Sequence, residues 1–148
     1  DICINNHFQS IQNFSIIDKN LINRKIKYGF NLDYEGYNLL STTKSFLVRN
    51  NLQESKIKLF NADEPINLNK KFDIIISLIS MGYHYPISVY INLLKENSSE
   101  KTVFIFDIAE EYYKIEKLKN FFEEIKIIKT IDKKHRQIRV CCKKIIKQ

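Results

Sequence analysis

The segment Phe72-Asp73-Ile74-Ile75-Ile76-Ser77-Leu78-Ile79 constrains the fold more than any other part of the chain. Apolar residues that follow one another without alternation suit a strand covered on both faces, as in a parallel α/β sheet. The acidic stretch NADEPINLNKK precedes this segment, and SMGYHYP follows its last apolar residues. In such sheets ligands sit beyond the carboxyl ends of the strands. That rule places Asn61-Ala62-Asp63 and Ser80 to Tyr85 on one rim, where function is expected.

The flanking segments alternate in character. Phe14-Ser15-Ile16-Ile17 reads as a strand closed by Asp18, and Lys19 to Asn31 as irregular chain with a turn at Gly29. Tyr34 to Asn50 has helical spacing through Tyr37, Leu40, Thr43-Lys44 and Leu47. Lys56 to Phe60 alternates as a strand does. Pro86 suits the first turn of a helix reaching Asn97, with Val89, Leu93 and Leu94 toward the sheet. Thr102 to Ile108 is a further buried strand, and its Asp107 is placed to touch a substrate at the strand end or, the preferred reading, to cap the next helix. Glu110 to Glu124 reads as an amphipathic helix with Tyr113, Leu118, Phe121 and Phe122 inward. Ile125 to Ile131 and Gln137 to Cys142 are strands joined by the short Lys133-Lys134 turn, which forces an antiparallel pair. The expected class is therefore α/β: a Rossmann-like, mostly parallel sheet with helices on both faces and a C-terminal antiparallel hairpin strand.

The 148 residues suffice for one domain, 1–148, with a core of its own, and a hydrophobic content of 44% excludes a disordered chain. No apolar run approaches the ~20 residues of a membrane span, and no secretory signal opens the chain. Cys3, Cys141 and Cys142 form neither a CxxC nor a zinc-type spacing. No metal is expected, and a reducing cytoplasm is the simplest compartment. The net charge of +7 permits contact with nucleic acid, but the lysines are spread along the chain. A solvated basic surface is the expectation, and an RNA-binding or RNA-modifying domain ranks last among the readings. His7, His135 and the basic turn Lys133-Lys134-His135-Arg136 read as surface. No G-x-G-x-x-G and no P-loop occur, which argues against a nicotinamide dehydrogenase or a nucleotide hydrolase. Nothing in the sequence signals an oligomeric state.

In the order of its segments, and in FSIIDKN, NAD and FDIIIS, the chain resembles the class I S-adenosylmethionine-dependent methyltransferases over about Asn13 to Lys144. YGFNLDYEGYNLL and SLISMGYHYP are similar to segments of bacterial sugar O-methyltransferases. The resemblance implies a sheet of seven strands, the last antiparallel and joined by a hairpin, with S-adenosylmethionine as cofactor. It implies that Asp18 accepts hydrogen bonds from the ribose hydroxyls, a task for an acceptor-only carboxylate. It implies that Asn61, Ala62 and Asp63 meet the adenine, with Asp63 accepting from the exocyclic amine. Ser77 falls on the cofactor side, and Asp73 is structural. Ser80, Tyr83 and Tyr85 would meet a small polar or sugar acceptor. His84 would be the base, since an unperturbed imidazole titrates at about 6.5.

Each residue also has a plainer reading. Asp18 and Asp63 could be surface or capping acids, His84 a hydrogen-bonded loop residue, and the tyrosines packing. The chain also departs from the family. Its glycine loop follows the form acid-x-Gly-x-Gly-x-Gly, and the matching stretch here is Asp1-Ile2-Cys3-Ile4-Asn5-Asn6-His7, with Cys3, Asn5 and His7 where glycines belong. Since the chain opens on Asp1 rather than Met, an N-terminally truncated domain is one expectation and a degenerate one the other. The functions that follow are a methyltransferase or a non-catalytic Rossmann-like scaffold module.

Overall fold

The computed structural model describes residues 2–8, 10–22, 37–111, 113–133 and 136–146. Asp1, the turn at Gly29, the start of the helix at Tyr34, most of YGFNLDYEGYNLL, Lys134 and His135 lie outside them. The described chain divides into two compact units, the second beginning at Leu68.

The first unit holds helix α1 (Ile2–His7), strand β1 (Phe14–Asp18), helix α2 (Leu40–Arg49) and strand β2 (Ile57–Asn61). β1 and β2 pair in parallel, from Phe14↔Ile57 to Asp18↔Asn61. Their core is Phe14, Leu47, Leu52 and Ile57. Leu40 and Leu47, two turns apart on α2, are both buried, as the spacing predicts. α2 stops at Asn50-Asn51, and Asn51 takes φ +67°, a conformation that asparagine tolerates better than most residues.

The second unit is a four-stranded sheet in the order β3-β4-β6-β5. Its strands are β3 (Phe72–Ser77), β4 (Ser98–Ala109), β5 (Phe122–Asp132) and β6 (Gln137–Ile145). β3 and β4 are parallel, while β6 runs antiparallel to both β4 and β5. The expected hairpin at the C-terminus is present. A 3-10 turn (Ile87–Tyr90) leads into helix α3 (Ile91–Glu96), and a second 3-10 turn spans Ile115–Asn120. These three short elements bring Ile87, Leu94 and Leu118 onto Phe104, Phe106, Ile108, Phe122, Val140 and Cys142, the core of the unit. Phe104 lies 5.0 Å from Phe122, ring centre to centre.

The expected Rossmann-like architecture is not found. Strand dominates, the four-stranded sheet is mixed, the β1–β2 pair is a separate sheet, and helices do not flank a sheet on both faces. Glu110 to Glu124 is the segment that departs most. In place of a helix it makes a turn, the 3-10 turn Ile115–Asn120, and then the first residues of β5. Leu118 and Phe122 still reach the core, so the apolar spacing is satisfied without a helix. The β-branched run beyond Glu124 favours extended chain. Among the described residues, the sheet face opposite the core carries no helix of this unit; there Ile74 and Ile76 are each 37% exposed. Val89, expected to face the sheet, is 65% exposed on the 3-10 turn Ile87–Tyr90, whose buried residue is Ile87. Among the described residues, no helix is long and apolar enough to cross a membrane.

Candidate functional site

In the first unit the carboxyl ends of β1 and β2 carry an acidic, amide-rich rim. Register sets Asp18 beside Asn61, and the Ala62 N–H donates to the Asp18 carbonyl at 2.9 Å. Asn61 organises the loop. Its Oδ1 accepts from the N–H groups of Asn20 (3.3 Å) and Asp63 (3.2 Å), and its Nδ2 donates to Glu64 at 3.0 Å. Asn20 in turn accepts the N–H of Leu40, the first residue of α2, at 3.0 Å. Lys19 reaches Asp63 at 3.8 Å and lies 5.2 Å from the centre of the Tyr37 ring.

Asp18 stands at the exposed end of its strand, with Oδ1 accepting the Lys19 N–H at 2.8 Å. Protein packed around the carboxyl raises its pKa above the ordinary value, and the Lys19 N–H opposes that rise. The structure thus brings Asp18, Asn61, Ala62 and Asp63 together. Two carboxylates beside an amide can accept hydrogen bonds from hydroxyl and amine donors. Ala62 and Asp63 have their own N–H groups engaged within the rim, so the carboxylates are its outward-facing chemistry.

In the second unit, the loop after β3 is wound around one carbonyl. Ser80 O accepts the N–H groups of Tyr83, His84 and Tyr85 at 3.0, 2.9 and 3.1 Å. Ser77 is buried, and its Oγ accepts the Met81 N–H at 2.9 Å. Gly82 ties the loop to the end of β4, its carbonyl accepting the Ala109 N–H at 3.2 Å. It has φ +82°, and a Cβ there would lie 2.4 Å from Ile108 Cδ1. The positive φ calls for glycine, and any Cβ there would need the tip of the Ile108 side chain to shift.

The aromatic side chains of this loop are half-buried. Tyr83 and His84 meet edge to face at 5.0 Å, and Tyr85 meets Tyr90 at 6.3 Å. Gln137 donates from Nε2 to Tyr83 Oη at 2.9 Å, and Tyr113 Oη donates to the His84 carbonyl at 3.3 Å. Burial pushes the Tyr113 phenol up, which keeps it a donor. Glu110 and Arg136 pair beside the loop at 3.4 Å.

Tyr113, Gln137, Glu110 and Arg136 were not legible as site residues. Gln137 opens β6 opposite Ala109, so only the β4–β6 register reveals that it meets the loop. Asp107 proves to be neither a helix cap nor a rim residue. It is buried and held by Arg139, because no helix starts at Glu110 for it to cap. The stretch with the spacing of a glycine loop is α1, a helix from Ile2 to His7. Among the described residues, no group of His, Cys, Asp and Glu is gathered as for a metal ion. The chain matches no protein-family model, no curated protein and no solved structure.

Proposed function

We propose that the chain serves S-adenosylmethionine-dependent methyl transfer to a small polar acceptor such as a sugar hydroxyl. The observation that carries this reading is the rim of the first unit, where Asp18 and Asn61 stand in register and Asp63 follows one turn on. The two acids suit an adenosine: Asp18 for the ribose hydroxyls, Asp63 for the exocyclic amine. When bound, the cofactor supplies a methyl group made electrophilic by its sulfonium. Taken by itself, the loop after β3 in the second unit offers Tyr83 and Tyr85 as faces for a sugar ring, with the His84 imidazole beside Tyr83. Methyl transfer is chiefly a matter of positioning, so few reacting side chains are needed.

One observation favours a second reading, a non-catalytic binding module. α1 occupies the stretch where the glycine loop for the methionine part would fall, and a helix gives no close backbone approach there. Titration calorimetry with S-adenosylmethionine separates the two. The methyltransferase reading expects saturable binding that weakens about tenfold or more, roughly 1.4 kcal/mol, in Asp18→Ala and in Asp63→Ala. Binding indifferent to both substitutions, or no binding up to millimolar cofactor, would sink it.

A further inference from the structure

The loop that follows β3 is pinned between two buried anchors, Ser77 and Ile87. From Leu78 to Pro86 between them, the one buried residue is Gly82, which has no side chain. Leu78 and Ile79 are exposed, while Met81 and Tyr83 to Tyr85 are half-buried. Hydrogen bonds rather than apolar burial therefore shape the segment. Three N–H groups converge on the Ser80 carbonyl, Ser77 Oγ accepts the Met81 N–H, and the Gly82 N–H donates to the Tyr85 carbonyl at 2.7 Å. Bonds also reach the loop from Ala109, Gln137 and Tyr113. Ile79 opposes this network. Its φ is +63°, in the left-handed region. The other non-glycine residues of positive φ among those described are Asn51, Asn69, Arg136 and Lys144, none of them β-branched. A branched Cβ makes this conformation costly, and it persists only where the surroundings impose it. With the Ile79 side chain 56% exposed, packing returns little of that cost.

We propose that Leu78 to Tyr85 is a strained strap that opens as one unit, hinged at Ile79, while the sheet beneath it stays closed. Opening breaks the hydrogen bonds of the loop and exposes little apolar surface, and it lets Ile79 relax. Segments with few buried apolar contacts open well below the free energy of global unfolding. β4 and β6 have the opposite character, with Phe104, Phe106 and Val140 fully buried, and they stay paired. Closed, the Ser80 carbonyl gathers Tyr83, His84 and Tyr85 into one turn; open, it lets them disperse. The strap thus controls whether Tyr83 and Tyr85 are presented together. Its bearing on acceptor binding rests on the methyl-transfer reading, whereas the opening itself does not.

Native-state hydrogen exchange of the 148-residue chain, read by NMR without any ligand, tests it. The reporters are the amides of Met81, Gly82, Tyr83, His84, Tyr85 and Ala109, which donate within the strap or onto it. They should share one opening constant, about tenfold or more larger than that of Phe106 and Val140 in the inner strands. Ile79→Asn tolerates the left-handed conformation better, so it should slow all the reporters together by about fivefold or more. Ile79→Val keeps the branched Cβ and its strain, and should stay within about twofold of wild type. Separate opening constants for the reporters, an opening no easier than that of the inner strands, or exchange in Ile79→Asn as fast as in wild type would overturn the proposal. Because no cofactor enters the measurement, its failure is distinct from failure of the methyl-transfer reading.

Discussion

Arg139 grips Asp107 with two parallel hydrogen bonds, Nε to Oδ1 at 2.6 Å and Nη2 to Oδ2 at 2.9 Å, from directly opposite positions on β6 and β4. The acid side chain is only 5% exposed and the arginine 30%. The pair is therefore asymmetric. Arg139→Met leaves a buried carboxylate without its partner and should cost about 3 kcal/mol. Asp107→Asn leaves a cation that can turn to water and should cost less, about 1–2 kcal/mol. Urea denaturation of both variants checks the ranking, and equal costs would mean that burial of Asp107 does not set the energetics.

Gly82 and Ile108 provide a second test. Gly82→Ala forces a Cβ to within 2.4 Å of Ile108 Cδ1 at a φ of +82°. Overpacking and strain together should cost about 1–3 kcal/mol. Ile108→Val removes the clashing methyl but not the strain at φ, so the double variant should lose less stability than the two single costs summed. Simple additivity would show that backbone conformation alone makes glycine necessary.

For Asp18, protonation separates stability from binding. Burial raises its folded-state pKa, so the folded state holds this proton more tightly than the unfolded state does. The associated stability is present at acid pH and is lost as pH rises from the ordinary aspartate value through the raised folded-state one. Asp18→Asn should therefore be neutral to slightly stabilising at pH 7. It should still weaken S-adenosylmethionine, because an amide is a poorer acceptor for ribose hydroxyls than a carboxylate. Wild-type affinity should itself fall as pH drops through that window. Thermal melts of the variant at pH 7, with calorimetry at pH 4 to 7, read both effects. A variant that melts well below wild type at pH 7 would show that Asp18 is needed for the fold.

Local pattern made some features legible and not others. β1 follows from a short apolar run closed by an acid, β2 from alternation and the β5–β6 hairpin from turn length, and the meeting of Asp18 with Asn61 follows from two parallel strands ending in polar residues. What was missed depends on register. Asp107 and Arg139 are 32 residues apart, and Gln137 and Tyr83 are 54 apart. No local pattern marks either pair. The error over Glu110 to Glu124 has another origin. Leu118, Phe121 and Phe122 lie at helical spacing, but a 3-10 turn followed by a strand presents them to the same core. In an isoleucine-rich chain, periodicity over one or two turns does not separate these outcomes.

The adjacent cysteines of β6 should differ sharply in reactivity. Cys142 lies on the core face, fully buried, and burial with the neighbouring Cys141 pushes its thiol up to about 12. The thiolate is the reactive form, so Cys142 should resist iodoacetamide in the native protein, while exposed Cys3 reacts readily. The same shift has a stability consequence. Once pH exceeds about 9, the unfolded thiol ionises while the folded one does not, so stability should fall as pH rises from there toward about 12. Cys142→Ala abolishes that contribution and should flatten the alkaline limb of a stability–pH curve, at the cost of a small cavity worth about 1 kcal/mol. Mass spectrometry of alkylated native protein, with urea melts between pH 7 and 10, tests both statements. Rapid native alkylation of Cys142 would mean that β6 opens far more easily than its packing against Phe104 and Phe122 implies.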